Sequence, residues 1–472
     1  MDVYSIISLF GGLALFLYGM HTMSAGLEKL SGSKLQSTLQ KMTAHTSTSL
    51  IFGAAITIAI QSSSALTVML VGLVNSGIMQ LEQTVSVILG GNIGTTLTAW
   101  ILSLSGISGD SIFINLLKPE NFSPIVALIG VIMIMACNTQ KKKDIGGVFV
   151  GFAILMYGMT LMSGSVAPLA GMPEFTGILT AFNNPFLGVL VGLVFTGIIQ
   201  SSAASVGILQ ALSLTGCITY GMAIPLVMGL NIGTCATALL SSIGTTKNAR
   251  RVAIVHITGK IIGTVFCMIV FYGLNAIIGF GFINSPLSAP EVALCHTVFN
   301  IITTIILLPA RKVLIKISRI VVRGNDAKQS EVFLDERLLL SPGLAVHESY
   351  NMAVKMSDIA RSCVLTAMGL MLSYDNDKAA DVKTEETELD MYEDKLGSFL
   401  VKLSASALSD NDSADVSKLL HNIGDFERIG DHALNIRQSA KEMHEKGLTF
   451  SEHATEEVNL LFSALNEILT LA

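Results

Sequence analysis

Long apolar stretches separated by short polar breaks fill the first two thirds of the chain, and an amphipathic pattern follows from about residue 344. A helix that crosses a bilayer needs about 20 mostly apolar residues. Nine stretches are long enough to lie in a membrane: 3–27, 48–74, 84–104, 123–140, 146–167, 186–215, 222–243, 252–280 and 291–310. The pattern predicts an all-α polytopic membrane domain over 1–320, a linker over 321–343 and a soluble helical bundle over 344–472.

Three landmarks in the apolar part recur at one constant offset along the chain. The pentapeptide QSSSA at 61–65 returns as QSSAA at 200–204, and NIGT at 92–95 returns at 231–234. Gly12 and the tripeptide YGM at 18–20 return as Gly151 and YGM at 157–159. Three separated landmarks in one register indicate a duplicated unit, with one repeat at about 3–140 and the other at about 146–310.

Basic clusters at 141–143, 247–251 and 311–323 predict the orientation of the chain, since Lys and Arg accumulate on the cytoplasmic side. Placing all three clusters inside leaves 48–74 and 186–215 as re-entrant hairpins that enter from opposite faces. The other seven stretches then cross the membrane. We therefore expect a multi-pass protein of the cell membrane with inverted repeats, an external N-terminus and a cytoplasmic C-terminal domain.

The QSS motifs lie where each hairpin must turn. Irregular backbone at membrane depth is tolerated where it lines a cavity, and free amides at a helix start favour an anion. Serine hydroxyls can both donate to an oxyanion and accept a sodium ion. The alternative is that these small residues only permit close helix packing, which two copies in register make the weaker interpretation.

The NIGT motifs, with the glycines before them, predict breaks in two spanning helices. Unwound carbonyls and the Asn and Thr oxygens at such breaks could coordinate Na⁺. A packing contact through glycine is the alternative. Neither motif has the Gly-Lys-Ser/Thr of a phosphate-binding Walker loop.

Lys260 is the one clearly intramembrane cation, about 13 Å along a helix from Arg251. We expect its side chain to reach the cytoplasmic face, although attraction of an anion is an alternative. His256 lies one turn earlier and has no partner that the sequence identifies.

The paired QSS and NIGT motifs resemble those of the type II sodium/phosphate cotransporter family over about residues 8–310. The resemblance implies that inorganic phosphate and Na⁺ bind between the two hairpins. Its phosphate-binding candidates are Gln61, Ser62, Ser63, Ser64, Gln200, Ser201 and Ser202. Its sodium-binding or flanking candidates are Asn92, Thr95, Thr96, Asn231 and Thr234. Ala203 stands where the first copy has Ser64, which makes the two halves unequal.

Helical periodicity in the C-terminal part predicts helices at about 344–373, 379–408 and 412–446, and a fourth from about 452. The acidic segments 375–377 and 410–413 are predicted N-caps. The chain stops within the last helix without a capping signal, which leaves open that the bundle is incomplete.

Two pairs of carboxylates share helical faces in the bundle: Glu386 with Asp390, and Glu427 with Asp431. The sequence around the second pair, DFERIGDHA at 425–433, resembles the signature of PhoU-like domains. That resemblance implies a divalent or transition metal on these four carboxylates. A solvated acidic face is the alternative.

Composition agrees with this division. Hydrophobic residues make up 51% of the chain, and its mean hydropathy is +0.63. Residues 1–320 carry a net charge of +7 and residues 321–472 one of −13, so the tail would repel nucleic acid. Six scattered cysteines are expected to be reduced thiols, and no cleavable signal peptide is predicted.

The sequence thus favours a Na⁺-coupled symporter of inorganic phosphate, embedded in lipid and regulated by its cytoplasmic bundle. A phosphate sensor without significant transport is the alternative. An enzyme is disfavoured because the membrane part offers no nucleophile–base pair and no closed metal-ligand set. The sequence leaves the oligomeric state open, a homo-oligomer included.

Overall fold

A computed structural model describes residues 3–36, 45–106, 118–168, 184–324, 334–406 and 408–471. Within these ranges the secondary structure is helical, apart from one isolated bridge between Thr219 and Pro286. The chain divides into two compact units, Met1–Ser341 and Pro342–Ala472. Residues 321–324 and 334–341, the described parts of the expected linker before Pro342, lie in the first unit.

Thirteen α-helices form the described part of the first unit. They are α1 (Val3–Gln36), α2 (Thr46–Ile60), α3 (Ser63–Asn75), α4 (Leu81–Ser103), α5 (Pro119–Ala136), α6 (Gln140–Val166), α7 (Pro185–Ile199), α8 (Ser202–Ser213), α9 (Tyr220–Gly233), α10 (Cys235–Ser241), α11 (Lys247–Ile278), α12 (Ala289–Leu307) and α13 (Arg311–Val321). Short 3₁₀ turns follow at Leu104–Gly106 and Glu336–Leu340.

The helix boundaries repeat at the offset found in the sequence, the one that relates Gln61 to Gln200. At this offset both ends of α2 coincide with those of α7, and the start of α3 coincides with that of α8. Helix α4 spans the same positions as α9 and α10 together, to within one residue. The duplication is therefore a duplication of structure as well as of motifs.

Helices α1 and α6 occupy equivalent positions in the two repeats and pack against each other through glycines. A Cβ on Gly12 would lie 3.0 Å from the Gly158 carbonyl oxygen, and one on Gly19 would lie 2.6 Å from that of Gly151. The contacts run in opposite directions along the two helices, so the helices are antiparallel. Because Gly12 corresponds to Gly151, and Gly19 to Gly158, the contact is two-fold symmetric.

Each hairpin packs against the next helix of its own repeat through glycines at equivalent positions. In the first repeat, a Cβ on Gly53 would lie 2.0 Å from the Val87 oxygen, and one on Gly90 would lie 1.9 Å from the Leu50 oxygen. The equivalent distances in the second repeat, at Gly192 and Gly229, are 2.4 and 2.1 Å. Only glycine permits backbones to approach so closely. Each hairpin therefore packs in direct backbone contact with the next helix of its repeat.

The outer surface of this unit is apolar, as expected for a protein in contact with lipid. Large side chains such as Phe10, Phe186 and Ile277 are between 64% and 83% exposed. Of the seven predicted crossings, six correspond to described helices that are long and apolar enough to span a bilayer. The seventh, α5, is shorter.

The predicted helix break at the first NIGT motif is wrong. Helix α4 runs without interruption from Leu81 to Ser103. Its glycines are used for contact with α2 rather than for unwinding. At the second motif only Thr234 separates α9 from α10, and its backbone (φ −62°, ψ −20°) remains helical.

The second unit contains four described helices: α14 (Pro342–Leu372), α15 (Asn376–Ser404), α16 (Asp410–Glu445) and α17 (Glu452–Leu471). Buried side chains of the first three, including Met356, Leu389, Tyr392 and Ile423, form its core. Asp375 caps α15 as predicted, accepting from two backbone amides. Ser409 caps α16, so the predicted capping segment 410–413 is instead its first turn.

Candidate functional site

The turn of each hairpin is built by a glutamine in a left-handed conformation. Gln61 has φ 57° and Gln200 has φ 58°, and they are the two non-glycine residues with positive φ among those described. This conformation is uncommon outside glycine and tends to mark functional sites. It ends the first helix of the hairpin and redirects the chain into the second.

The next residue caps the second helix. The Ser62 Oγ accepts a hydrogen bond of 3.1 Å from the Ala65 amide, and the Ser201 Oγ accepts one of 3.2 Å from the Ala204 amide. In such a helix start the first amides have no helical acceptor. Two helix N-termini with free N–H groups and positive dipole ends are thereby set up, one in each repeat.

Both motifs line a single cavity of about 270 Å³. Its lining includes all seven predicted phosphate-binding residues: Gln61, Ser62, Ser63, Ser64, Gln200, Ser201 and Ser202. Ala203 also lines it. Ala203 retains a backbone amide in the position where the first copy has Ser64, so the missing hydroxyl removes one of two donors there. A larger cavity of about 380 Å³ lies among apolar side chains such as Phe266 and Phe271.

The two glutamines are not equivalent. The Gln61 side chain is buried, donates to the Ile58 carbonyl oxygen at 2.6 Å and accepts from the Thr98 hydroxyl at 2.7 Å. The Gln200 side chain is exposed at the cavity and forms no such bond in the described part of the chain. The Gln61 side chain therefore stabilises its own turn, whereas the Gln200 side chain is free to contact a ligand.

Helix α1 contributes a third wall that the sequence did not reveal. Met20, His21, Ser24, Ala25 and Glu28 face the two QSS motifs. One carboxylate oxygen of Glu28, Oε1, is buried and has no hydrogen-bond partner. The spacing of these residues, about one helical turn apart, was the available signal, but it resembles any face of a membrane helix.

Two equivalent threonines of the hairpins lie outside the lining of the QSS cavity. Thr57 and Thr196 are equivalent residues, four positions before the glutamines, and their buried hydroxyls have no hydrogen-bond partner. The backbone carbonyl oxygen of each threonine accepts a hydrogen bond of 2.7 Å from the backbone N–H of the glutamine four residues later. They are related by the same offset as the two glutamines, so the sequence shows that they are equivalent.

The predicted sodium-flanking residues lie on continuous helix and are mostly bonded locally. The hydroxyls of Thr95 and Thr96 donate to the carbonyl oxygens of Gly91 and Ile93, respectively. The Thr234 hydroxyl donates to the carbonyl oxygen of Asn231. None of these residues lines the QSS cavity. The amide of Asn92 is buried and forms no hydrogen bond among the described residues, whereas that of Asn231 is engaged.

The expectation that Lys260 reaches the membrane surface is wrong. Its side chain is 4% exposed, and its ammonium donates to the Asn231 Oδ1 at 2.8 Å and to the Asn300 Oδ1 at 3.3 Å. Two asparagine oxygens offer the ammonium hydrogen-bond acceptors inside the protein, so it has no need to extend to water.

The four carboxylates predicted to bind metal face each other across α15 and α16. Burial and then the charge of Asp390 raise the pKa of Glu386, and burial and then Asp431 raise that of Glu427. Across the described ranges, no three His, Cys, Asp or Glu side chains are grouped so as to hold a metal ion. A metal on these carboxylates therefore stays a prediction.

Two family models match the chain. The Na⁺/Pi-cotransporter model matches twice, at residues 15–164 and 154–289, and the PhoU domain model matches residues 353–440. The starts of the two cotransporter matches are related by the same offset as the motifs, in agreement with the duplication.

Three similar proteins illustrate the range of relatives. YqeW of Bacillus subtilis (strain 168), an uncharacterized protein, is 28% identical over 305 residues, which are 64% of this chain and 94% of YqeW. YjbB of Escherichia coli (strain K12), named as a candidate inorganic phosphate export protein, is 22% identical over 99% of this chain and 84% of its own. Human sodium-dependent phosphate transport protein 2B is 30% identical over 30% of this chain and 19% of its own. No solved structure matches significantly.

Proposed function

The chain belongs to the Na⁺/Pi-cotransporter family and carries a C-terminal PhoU domain, and from this premise we propose that it is a sodium-coupled symporter of inorganic phosphate. It is a membrane protein of a family of transporters, and phosphate transport is the activity that its relatives support. Coupling to sodium, the binding residues and the orientation are our proposal.

The observation that carries the proposal is the convergence of two capped helix N-termini on one polar cavity. Free amides and positive dipole ends favour an anion, and serine hydroxyls add donors. Ser63 and Ser202, each at the first position of its helix, supply matched hydroxyls from the two repeats. A tetrahedral phosphate offers acceptors in several directions, which suits donors that approach from two helices.

The charge of the cavity supports a requirement for cations. Among the described residues that line it, none is Lys or Arg, and Glu28 contributes a carboxylate. When Glu28 is ionised, a phosphate brought beside it would be repelled unless small cations entered with it. Sodium ions, held by serine and glutamine oxygens, would neutralise the phosphate, which provides a physical reason for coupling.

The antiparallel contact between α1 and α6 supports inverted-topology repeats. Equivalent helices that run in opposite directions place one repeat upside down relative to the other. Hairpins that enter from opposite faces would then meet at the cavity near the midplane, and motion of one repeat against the other would open it alternately to each side.

We further propose that the N-terminus is external and that the PhoU domain is cytoplasmic and regulates transport. The basic clusters support this orientation. The presence of a PhoU domain also favours the alternative that the chain reports on phosphate without moving much of it, so net flux must be measured directly.

The test is a flux assay with the full chain in proteoliposomes. Radiolabelled phosphate is followed in both directions while the gradients of Na⁺, protons and phosphate are varied independently. We expect accumulation that requires a Na⁺ gradient and persists without a proton gradient. Phosphate binding without flux would instead identify a sensor, and flux driven by protons alone would contradict sodium coupling.

A further inference from the structure

The second repeat contains a buried polar cluster that lies apart from the QSS cavity. Its centre is the Lys260 ammonium on α11, which donates to Asn231 on α9 and to Asn300 on α12. Asn300 is 1% exposed and Asn231 is 4% exposed, so the contact is sealed from solvent. Three helices are thus joined at one positive charge.

The groups around this charge are neutral. In the described ranges, no carboxylate lies within ion-pair distance of Lys260. His256, one turn before Lys260, and His296, one turn before Asn300, are both buried. Neither His296 ring nitrogen, nor the His256 Nδ1, has a hydrogen-bond partner. An ammonium held only by neutral dipoles in lipid-embedded protein is costly, and such groups are usually kept for function.

The first repeat has the same asparagine but no ammonium. Asn92 is equivalent to Asn231, is 5% exposed and forms no side-chain hydrogen bond within the described residues. The position equivalent to Lys260 is Asn121, which is exposed. The repeats therefore differ by one fixed positive charge beside an amide oxygen that both possess.

An ammonium and a sodium ion satisfy such an oxygen in similar ways. Both are compact monovalent cations, and the lone pairs of a side-chain amide oxygen can hold either one. The geometry points to Lys260 as a built-in cation: we propose that its ammonium occupies, in the second repeat, the place that a coupling sodium ion would otherwise take. The proposal rests on the proposed function and deepens it.

One consequence is a lower sodium requirement. Because Lys260 supplies a positive charge that is not transported, the protein would bind one Na⁺ fewer per phosphate than a chain without it. In the first repeat, the Asn92 side-chain amide forms no hydrogen bond within the described residues, and its oxygen is available as a sodium ligand. The two repeats therefore contribute unequally to coupling.

The test counts bound sodium in the purified full chain without phosphate, using radiolabelled ²²Na⁺ at saturation. We expect Lys260→Ala to bind one Na⁺ more per chain than the unaltered protein, because the variant loses the charge and leaves room at the two asparagine oxygens. Lys260→Ser is a second variant, whose hydroxyl offers an additional oxygen, should the alanine variant fail to fold.

The matched control is Lys260→Arg, which keeps the charge and should bind no additional Na⁺. The double variant Lys260→Ala/Asn231→Ala should not bind the additional Na⁺, because it lacks the Asn231 oxygen that would hold the ion. Equal Na⁺ binding by Lys260→Ala, Lys260→Ser and the unaltered protein would overturn the proposal, as would a gain in Lys260→Arg. The assay needs no phosphate flux, so a failure of the proposed transport function would be seen separately in proteoliposomes.

Discussion

Replacing Ser62 with Ala or with Asp separates the capping role of this serine from its role in binding. Alanine removes the hydroxyl that accepts from the Ala65 amide, and loss of an N-cap costs about 1 kcal/mol of stability. Aspartate keeps an acceptor at the cap and adds a negative charge at a helix N-terminus, where it is favourable. We therefore expect Ser62→Asp to unfold at nearly the temperature of the unaltered protein, and Ser62→Ala to unfold somewhat earlier.

The affinity for phosphate should rank the two Ser62 variants differently from their thermal stability. A sphere with the volume of the cavity is roughly 8 Å across, and we take this length as the separation between a bound phosphate and a carboxylate on the wall. At this distance, with an effective dielectric constant of about 20, each unit of phosphate charge is repelled by about 2 kcal/mol, or roughly 30-fold in affinity. Ser62→Asp should thus bind phosphate roughly 30-fold more weakly for each unit of phosphate charge, although it is the more stable variant.

The assay measures equilibrium binding of radiolabelled phosphate at fixed Na⁺, together with thermal unfolding of each variant in detergent. Ser201→Ala and Ser201→Asp repeat the comparison in the other hairpin, where Ser201 caps in the same way. Undiminished phosphate affinity in both aspartate variants would refute the assignment of the cavity as the phosphate site.

Two further predictions concern packing and pH. Gly53→Ala and Gly192→Ala should each destabilise the membrane unit by about 1–3 kcal/mol, because the new Cβ would lie 2.0 and 2.4 Å, respectively, from a backbone oxygen. Gly197→Ala is the control, because a Cβ there would enter open space. Equal melting temperatures for all three variants would contradict the packing. Burial and neighbouring carboxylates raise the pKa of Glu386 and Glu427 above 4.5, so their ionisation opposes folding as the pH rises through the range above that value. Glu386→Gln/Glu427→Gln should therefore reduce the loss in free energy of unfolding of the second unit of the full chain as the pH rises above 4.5. Parallel unfolding profiles of the variant and the unaltered protein would contradict this prediction.

Much of the fold followed from local pattern. The turn at Gln61 and the cap at Ser62 were predictable because helix ends depend on a few adjacent residues, and the same signals recur at Gln200 and Ser201. The break at the first NIGT motif was predicted wrongly, because glycine weakens an isolated helix but also permits close packing. In α4 the second effect prevails, since Gly90 lies against the backbone of α2.

The candidate site was predictable in part for the same reason. The serines were identified because they occur twice in register, and register is visible in a sequence. Glu28 was missed because its importance depends on which face of α1 meets the hairpins. Lys260 was misplaced because its two acceptors, Asn231 and Asn300, lie 29 and 40 residues away.

The sequence by itself determined that this is a duplicated helical membrane protein with a soluble helical tail, and where each hairpin turns. Hydrophobic length, motif register and capping residues are local properties, so no three-dimensional information was needed. Only the tertiary structure decided that both QSS motifs line one cavity, that Glu28 faces them and that Lys260 is buried between asparagines. These facts depend on contacts between distant segments, and packing free energy, rather than local preference, selects such contacts.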